Sequence, residues 1–437
     1  MKQETINVGI KTASSINFSF KGAYRIDGIE VTGDYTAIAV DGKIKWMGGL
    51  YDSLYFEPLL NDNRFTLKNV VIGIGFHWER MEDQQFAGAL KIIVDGDNLI
   101  AVNHIGIEDY LLSVISSEMS ATASLELLKA HAVISRSWLM AQIRKNRELA
   151  KDSTPYCACT VTEDETVKWY DREDHTLFDI CADDHCQRYQ GTTRQTTPSV
   201  ATAIKETWGQ VLMFEDKLCD ARFSKCCGGV YETFENCWEP VKHPYLVPLR
   251  DAVSEHDFPD LTLEKNAVEW IKTSPDAFCN TKDPVILSQV LNNYDQETSD
   301  FYRWSVTYSQ KEISELIARR SGNDYGKIRS LEALERGTSG RIVRLRIEGE
   351  KKTHIIGKEL EIRRTLSESP LYSSAFVVEA GEPDADGFPS SFTLRGAGWG
   401  HGVGLCQIGA AVMGSKGYSY EEILFHYFIG ARLEKAY

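Results

Sequence analysis

The sequence predicts an α+β fold: a mixed, β-rich N-terminal region, then a helix-containing core interrupted by an α/β insert. Three observations carry this. Apolar residues alternate in short runs through residues 1–105 (Ile16-Phe18-Phe20, Ile38-Val40, Val70-Ile72-Ile74), broken by Gly and Asp turns, as half-buried strands require. From Glu108 the apolar spacing lengthens to a helical repeat. Past residue 252 the composition shifts, and a helical stretch is followed by strands.

Leu90 to Val94 and Leu99 to Val102 flank Asp95-Gly96-Asp97-Asn98 and read as a hairpin. Two helices follow. The first, Glu108 to Ser117, puts Tyr110, Leu111, Val114 and Ile115 on one side and Glu108 and Asp109 at the positive end of its dipole. The second, Ser124 to Lys145, carries the stripe Leu125, Leu128, Ala132, Leu139 and Ile143. Residues 150 to 195 are polar, hold Cys and His, and read as loop. Thr207 to Asp251 returns to a strand pattern around the small-residue turn Phe223-Ser224-Lys225-Cys226-Cys227-Gly228-Gly229. The stretch 261–320 is mainly helical (Leu263 to Lys272, Lys311 to Arg320), and 328–380 mainly strand, including Arg341 to Ile347. The densest glycine run, Gly396-Ala397-Gly398-Trp399-Gly400-His401-Gly402-Val403-Gly404, precedes a closing helix, Tyr420 to Tyr427. The chain therefore divides into a β-rich region (1–105), a core with the Cys/His segment (106–251), an insert, helical then β (252–392), and a glycine-rich segment that completes the core (393–437).

Composition excludes several functions. With 48 basic and 63 acidic residues the net charge is −15, which disfavours nucleic acid. No run of 18 apolar residues occurs, so no membrane span is expected. The start, Met1 to Ile10, lacks an apolar signal core: either the protein stays inside the cell or a leader precedes this chain. The glycine run lacks the Lys-Ser/Thr of a phosphate loop.

Glu118, in Ser116-Ser117-Glu118-Met119-Ser120, stands alone at a helix-to-helix junction. A carboxyl group held there in a poorly hydrated cleft keeps its proton and can act as a general acid; the bland alternative is a solvated helix end. Arg136 lies near the stripe of the second helix, where a guanidinium is costly unless paired. Either its head reaches solvent or the stripe opens onto a polar cleft there. His175, Cys181, His185 and Cys186 offer the four N/S donors of a closed zinc site, or a free thiol pair beside two histidines. His401 and Cys406 raise thiol catalysis, with Gln407 as an oxyanion donor. Disulfides remain open among Cys219, Cys226, Cys227 and Cys237; the pairing state of Cys157 and Cys159 is open too.

In order, these segments resemble the SpoIID/LytB family, the stage II sporulation protein D group of cell-wall enzymes and their relatives. Tyr110-Leu111-Leu112-Ser113-Val114-Ile115-Ser116-Ser117-Glu118-Met119 is similar to Y-L-x-x-V-x-x-E-M. Glu126 to Ser137 is similar to E-A-L-K-A-Q-A-V-x-A-R-T, and Asp184-His185-Cys186-Gln187-Arg188-Tyr189-Gln190-Gly191 to the metal segment of sporulation members. Gly398 to Gly430 resembles G-W-G-H-G-V-G-M-S-Q-x-G-A with its Ile-Leu-x-x-Tyr helix, and Thr207 to Leu246 also fits. Ser120 stands for the usual Pro, His131 for Gln, Leu405 and Cys406 for Met and Ser, and Cys227 falls in the small-residue turn.

The resemblance implies a peptidoglycan lytic transglycosylase with 106–251 as its catalytic core. Glu118 would be its single catalytic acid and base, and His175, Cys181, His185 and Cys186 would hold a structural zinc. Arg136, Ser224, Trp399, His401 and Gln407 are candidate substrate contacts, Arg136 through the sugar or another acceptor; pressed on Glu118 it would keep the acid ionised. The implied partners are glycan strands, preferably stripped of peptide, and a cell-wall amidase, since some LytB-like relatives are amidase modifiers. The implied location is the cell envelope, periplasmic or otherwise extracytoplasmic. A non-catalytic amidase enhancer that binds glycan is the alternative.

Overall fold

The computed structural model describes residues 3–74, 79–120, 122–149, 159–169, 175–183, 185–193, 197–253, 257–290 and 299–437. Cys157, and Asp184 of the metal segment, lie outside them. The fold is α+β, with a β-rich N-terminus and several sheets.

The N-terminal region forms β1 (Thr5–Ala13), β2 (Ser15–Ile26), β3 (Ile29–Val40), β4 (Lys43–Trp46), β5 (Gly49–Tyr51), β6 (Ser53–Pro58), β7 (Arg64–Ile72), β8 (Arg80–Phe86), β9 (Ala89–Asp95) and β10 (Asn98–Gly106). They run β1-β10-β9-β6-β2-β3-β4-β5, with β7 joining β2 to β8. Alternation does the work here: Ile16, Phe18 and Phe20 of β2 all turn inward, where Phe18 and Phe20 meet Phe56. The hairpin β9–β10 closes on Asp95 and Asn98.

Next come α1 (Ile107–Glu118) and α2 (Leu125–Leu149). Ile107, Tyr110, Leu111, Val114 and Ile115 of α1 are buried, the face expected from their spacing. The helix ends because Met119 turns extended (φ −113°, ψ 149°), which makes Glu118 its last residue. Ser124 caps α2, its hydroxyl accepting from the Leu127 amide.

The polar stretch 150–195 is more ordered than its composition predicts. It supplies β11 (Cys159–Val161), β12 (Glu165–Lys168) and β13 (Ile180–Cys181). β13 lies parallel to β1, and β12 lies parallel to Thr353–Gly357 of the insert. Strands this short are held by ladder bonds to their neighbours, so no apolar alternation announces them.

Within 252–392, Arg303–Ser309 pairs with Ser391–Ala397, and Ile342–Gly349 lies between Ile328–Arg336 and Thr353–Gly357. Trp304, Ile313, Ile317, Leu345, Ile347 and Leu394 share a core separate from the main one. The strand Arg303–Ser309 falls inside the stretch expected to be mainly helical. Its half-polar sequence is recruited by Ser391–Ala397, nearly ninety positions later (Ser305 opposite Arg395).

The end of the chain returns to the core. Leu405–Cys406 runs parallel to Phe223–Ser224, the helix Gln407–Ser415 packs on α2, and Arg432–Lys435 pairs with Gln210–Phe214. Gly398, Gly400, Gly402 and Gly404 have φ of 75°, 92°, 77° and 71°, values that L side chains rarely adopt. A Cβ on Gly402 would strike the Arg341 guanidinium, and one on Gly404 the Arg222 carbonyl. The run thus lets backbone approach backbone and wraps Arg341, which donates to the carbonyls of Gly400 and Cys227.

Candidate active site

Glu118 sits half-buried at the C-terminus of α1. The Arg188 amide points at its Oε1 from 3.4 Å, a long contact that orients the carboxyl group more than it neutralises it. Among the described residues no ion pair includes Glu118. On its other side the chain turns through Ser120, whose amide donates to the Gln289 carbonyl at 3.0 Å.

The segment that presents Arg188 is tied across α1 at several points. The Tyr110 hydroxyl donates to Gln187 Oε1 (3.3 Å), and Gln187 Nε2 donates to the Ser135 carbonyl (3.3 Å). Tyr189 stacks on Tyr110 with centroids 4.9 Å apart and donates to Asn103 Oδ1 at 2.6 Å. The Gln190 amide donates to Ser113 Oγ at 3.1 Å. Gln187, Tyr189 and Gln190 are each 3% exposed or less. The Arg188 amide is therefore fixed relative to the helix that carries Glu118.

Immediately before it, the side chains of His175, Cys181, His185 and Cys186 converge, with one donor atom of each within 4.8 Å of the others. Cys186 Sγ lies 3.4 Å from His175 Nε2 and 3.5 Å from His185 Nδ1, and Cys181 Sγ lies 3.8 Å from His185 Nδ1. A tetrahedral zinc with bonds of about 2.0–2.3 Å has ligand-to-ligand edges of roughly 3.3–3.8 Å, so this donor set fits that ion and leaves no ligand position open. Hydrogen bonding from Cys186, then from the two imidazoles, pulls the Cys181 thiol well down, while the same bond and then burial push Cys186 up.

The remaining candidates divide. Arg136 meets Glu108, not a cleft. Its Nε and Nη2 donate to the two carboxylate oxygens at 2.9 and 2.7 Å, its Nη1 donates to the Gln210 carbonyl at 2.9 Å, and its side chain is 0% exposed. It pairs with another acceptor, as anticipated, but that acceptor is internal, and no sugar reaches it. Glu108, anticipated as a helix-dipole charge, is the buried anion that Arg136 neutralises.

Gln407 is 2% exposed and its Nε2 is engaged with His131, so that nitrogen is not offered to a sugar or an oxyanion. Ser224 is 6% exposed beneath Gly400, its hydroxyl without a hydrogen-bond partner among the described residues. His401 accepts from the Val403 amide at Nδ1 (3.0 Å), lies edge-on to Trp238, and bonds the Phe223 backbone. Desolvation, then the guanidinium groups of Arg222, Arg341 and Arg363, push it well below the usual imidazole range, so it is a neutral pin. Trp399 is half-buried between Phe301 and Tyr372, with centroids at 4.8 and 4.3 Å. Cys406 is 0% exposed, so the thiol-nucleophile reading finds no accessible sulfur. Cys219, Cys226, Cys227 and Cys237 are free thiols.

Sequence reasoning missed the Arg188 amide and the Tyr110–Gln187 anchor. A backbone donor has no side-chain signature, and Tyr110 reads only as part of an apolar face.

Fold and site together define an α+β protein whose lone carboxyl group is set against a thiol–imidazole loop. A family model described as Stage II sporulation protein (SpoIID) matches residues 95–214, which hold Glu118 and all four loop donors. The resemblance to the SpoIID/LytB family therefore stands over that segment. A second model, for a domain of unknown function (DUF8618), matches residues 232–404.

Among known relatives, an uncharacterised protein of Brachyspira hyodysenteriae is 25% identical over 94% of this chain and 93% of its own length. The stage II sporulation protein D of Bacillus subtilis is 23% identical over 77% of this chain and 76% of that protein. The amidase enhancer of Bacillus subtilis is 24% identical over 74% of this chain, which spans only 40% of that relative.

Proposed function

We propose that the chain is a lytic transglycosylase that cleaves the MurNAc–GlcNAc bond of glycan strands, with Glu118 as its single acid and base. The observation that supports this best is the half-buried carboxyl group at the end of α1, aimed by the Arg188 amide and free of any cationic partner among the described residues. Protonated Glu118 donates to the glycosidic oxygen as the bond to the anomeric carbon breaks. The C6 hydroxyl of the same sugar attacks that carbon and returns its proton to Glu118. The product is a 1,6-anhydro end, and no water is consumed. A second carboxylate is unnecessary, unlike in two-carboxylate glycosidases, because the nucleophile is already tethered to the reacting sugar.

Zinc at His175, Cys181, His185 and Cys186 would hold the loop in place; the reaction itself belongs to Glu118. Trp399 is the side chain best suited to stack on a sugar ring. The reading puts the protein outside the cytoplasm, at its polymer. No described helix is long and apolar enough to cross a membrane.

The named likeness to an amidase enhancer supports a second reading, a glycan-binding partner of a cell-wall amidase. Incubation with peptide-free glycan separates the two. The first reading expects anhydro-muramyl ends, and expects Glu118→Gln to lower their formation by about 10²–10⁴-fold while glycan co-sedimentation persists. Wild-type protein that binds glycan and yields no anhydro ends would leave the enhancer reading.

A further inference from the structure

A second cluster of metal-binding side chains lies away from the loop. Cys227, Asp251, Cys279 and Cys406 each bring one donor atom within 4.8 Å of the other three, and all four are buried. They arrive from different parts of the chain: the small-residue turn, the segment after Arg250, the turn before the helix Pro284–Val290, and the start of the helix Gln407–Ser415. Cys227 Sγ lies 3.5 Å from Cys279 Sγ and 3.6 Å from Asp251 Oδ2. These are again the edges of a tetrahedron around a zinc-sized ion, roughly 3.3–3.8 Å.

Two further features point to a cation. Asp251 is 0% exposed, and it faces sulfur. The hydroxyls of Tyr231 and Tyr427 each donate to its Oδ1 at 3.1 Å, which turns Oδ2 toward the thiols, the arrangement that outer-shell donors impose on a metal-bound carboxylate. The Cys279 amide donates to Oδ2 at 3.1 Å and His426 Nε2 lies 3.3 Å from Oδ1, so the carboxylate is held on both oxygens while Oδ2 still faces the sulfurs. Backbone amides also approach the sulfurs: Cys227 N lies 3.3 Å from Cys406 Sγ, and Gly229 N lies 3.4 Å from Cys227 Sγ. Disulfide pairing would account for the sulfurs but not for the carboxylate aimed at them.

We propose that Cys227, Asp251, Cys279 and Cys406 bind a second soft divalent cation of the zinc class. All four positions come from the protein, so the site is closed and structural. Binding releases the three thiol protons to solvent and ties the core, the insert and the C-terminal segment at one point. Cys226, whose thiol touches Cys279 and Cys406, lies beside the site but outside the four mutually close donors.

Metal content of protein purified reduced and with zinc tests this, whatever reaction the chain performs. The proposal expects the Cys181→Ser/Cys186→Ser double variant to retain one equivalent. In that background Cys279→Ser should remove it and Cys226→Ser should not. If Cys279→Ser does not fold, cobalt loaded into the double variant should still give a thiolate-to-cobalt charge-transfer band. A double variant with neither metal nor that band overturns the proposal. So does a Cys227–Cys279 disulfide found by peptide mapping of the native protein. Loss of metal in Cys226→Ser with retention in Asp251→Asn would overturn the ligand set.

Discussion

Gln407 Nε2 lies 3.1 Å from His131 Nε2, and the other imidazole nitrogen lies 3.2 Å from Ser135 Oγ. The amide donates to an unprotonated nitrogen, so His131 is neutral with its proton on the Ser135 side. Both His131 and Gln407 are buried, and the pair joins α2 to the C-terminal helix across 276 positions.

Desolvation, then the Lys225 charge, pushes His131 down to about 3. The folded state thus refuses a proton that the unfolded chain accepts below about 6.5. Stability should fall as pH drops from about 6.5 toward 3, by up to about 1.4 kcal/mol per pH unit from this group. His131→Gln should flatten that slope, measured as melting temperature against pH. An unchanged slope would place the acid sensitivity elsewhere.

Arg136→Met should destabilise the fold by about 3–5 kcal/mol, because Glu108 would remain buried and charged. The double variant Arg136→Met/Glu108→Leu should recover most of that loss. Denaturant titration of the three proteins checks both statements; if the single variant lost turnover at unchanged stability, the side chain would be a substrate contact after all.

Removing two of the loop's four donors should loosen the Arg188 amide beside Glu118. Cys181→Ser/Cys186→Ser is expected to lower kcat for anhydro-end formation by about tenfold or more, in the range seen when outer supports of a site are lost. Peptide-resolved hydrogen exchange should rise across 185–193 before it rises in α2. Unchanged exchange there would mean that the loop holds itself.

Gly402→Ala should cost more than Gly387→Ala. Both positions have positive φ, 77° and 80°, but a Cβ at 402 meets Arg341, whereas nothing lies within 4 Å at 387. The backbone term is common to both, about 1–2 kcal/mol, so the excess in melting experiments reports the clash. Equal losses would mean that Arg341 moves aside freely.

Much of this was legible beforehand. Periodicity placed α1 to within a residue at each end, since a buried stripe dictates its own spacing, and found α2 and the β9–β10 hairpin but stopped α2 and β10 four residues short. The loop donors were recognisable because their residue types are rare and close together. Partner identity was not legible. Arg136 looked like a cleft residue because its acceptor, Glu108, is separated from it by 28 positions and reads as a helix-dipole charge. The second thiol cluster was hidden for the same reason: Cys227 and Cys406 stand 179 positions apart, and only the closed fold brings them together.

The reach of Tyr437 has a consequence for biosynthesis. Its hydroxyl bonds Glu108 across 329 positions, and Arg432–Lys435 completes the small sheet begun at Gln210–Phe214. While the polypeptide is still emerging from the ribosome, that anion lacks one of its donors and that sheet lacks a strand. The early half therefore completes its packing only once the late half is present.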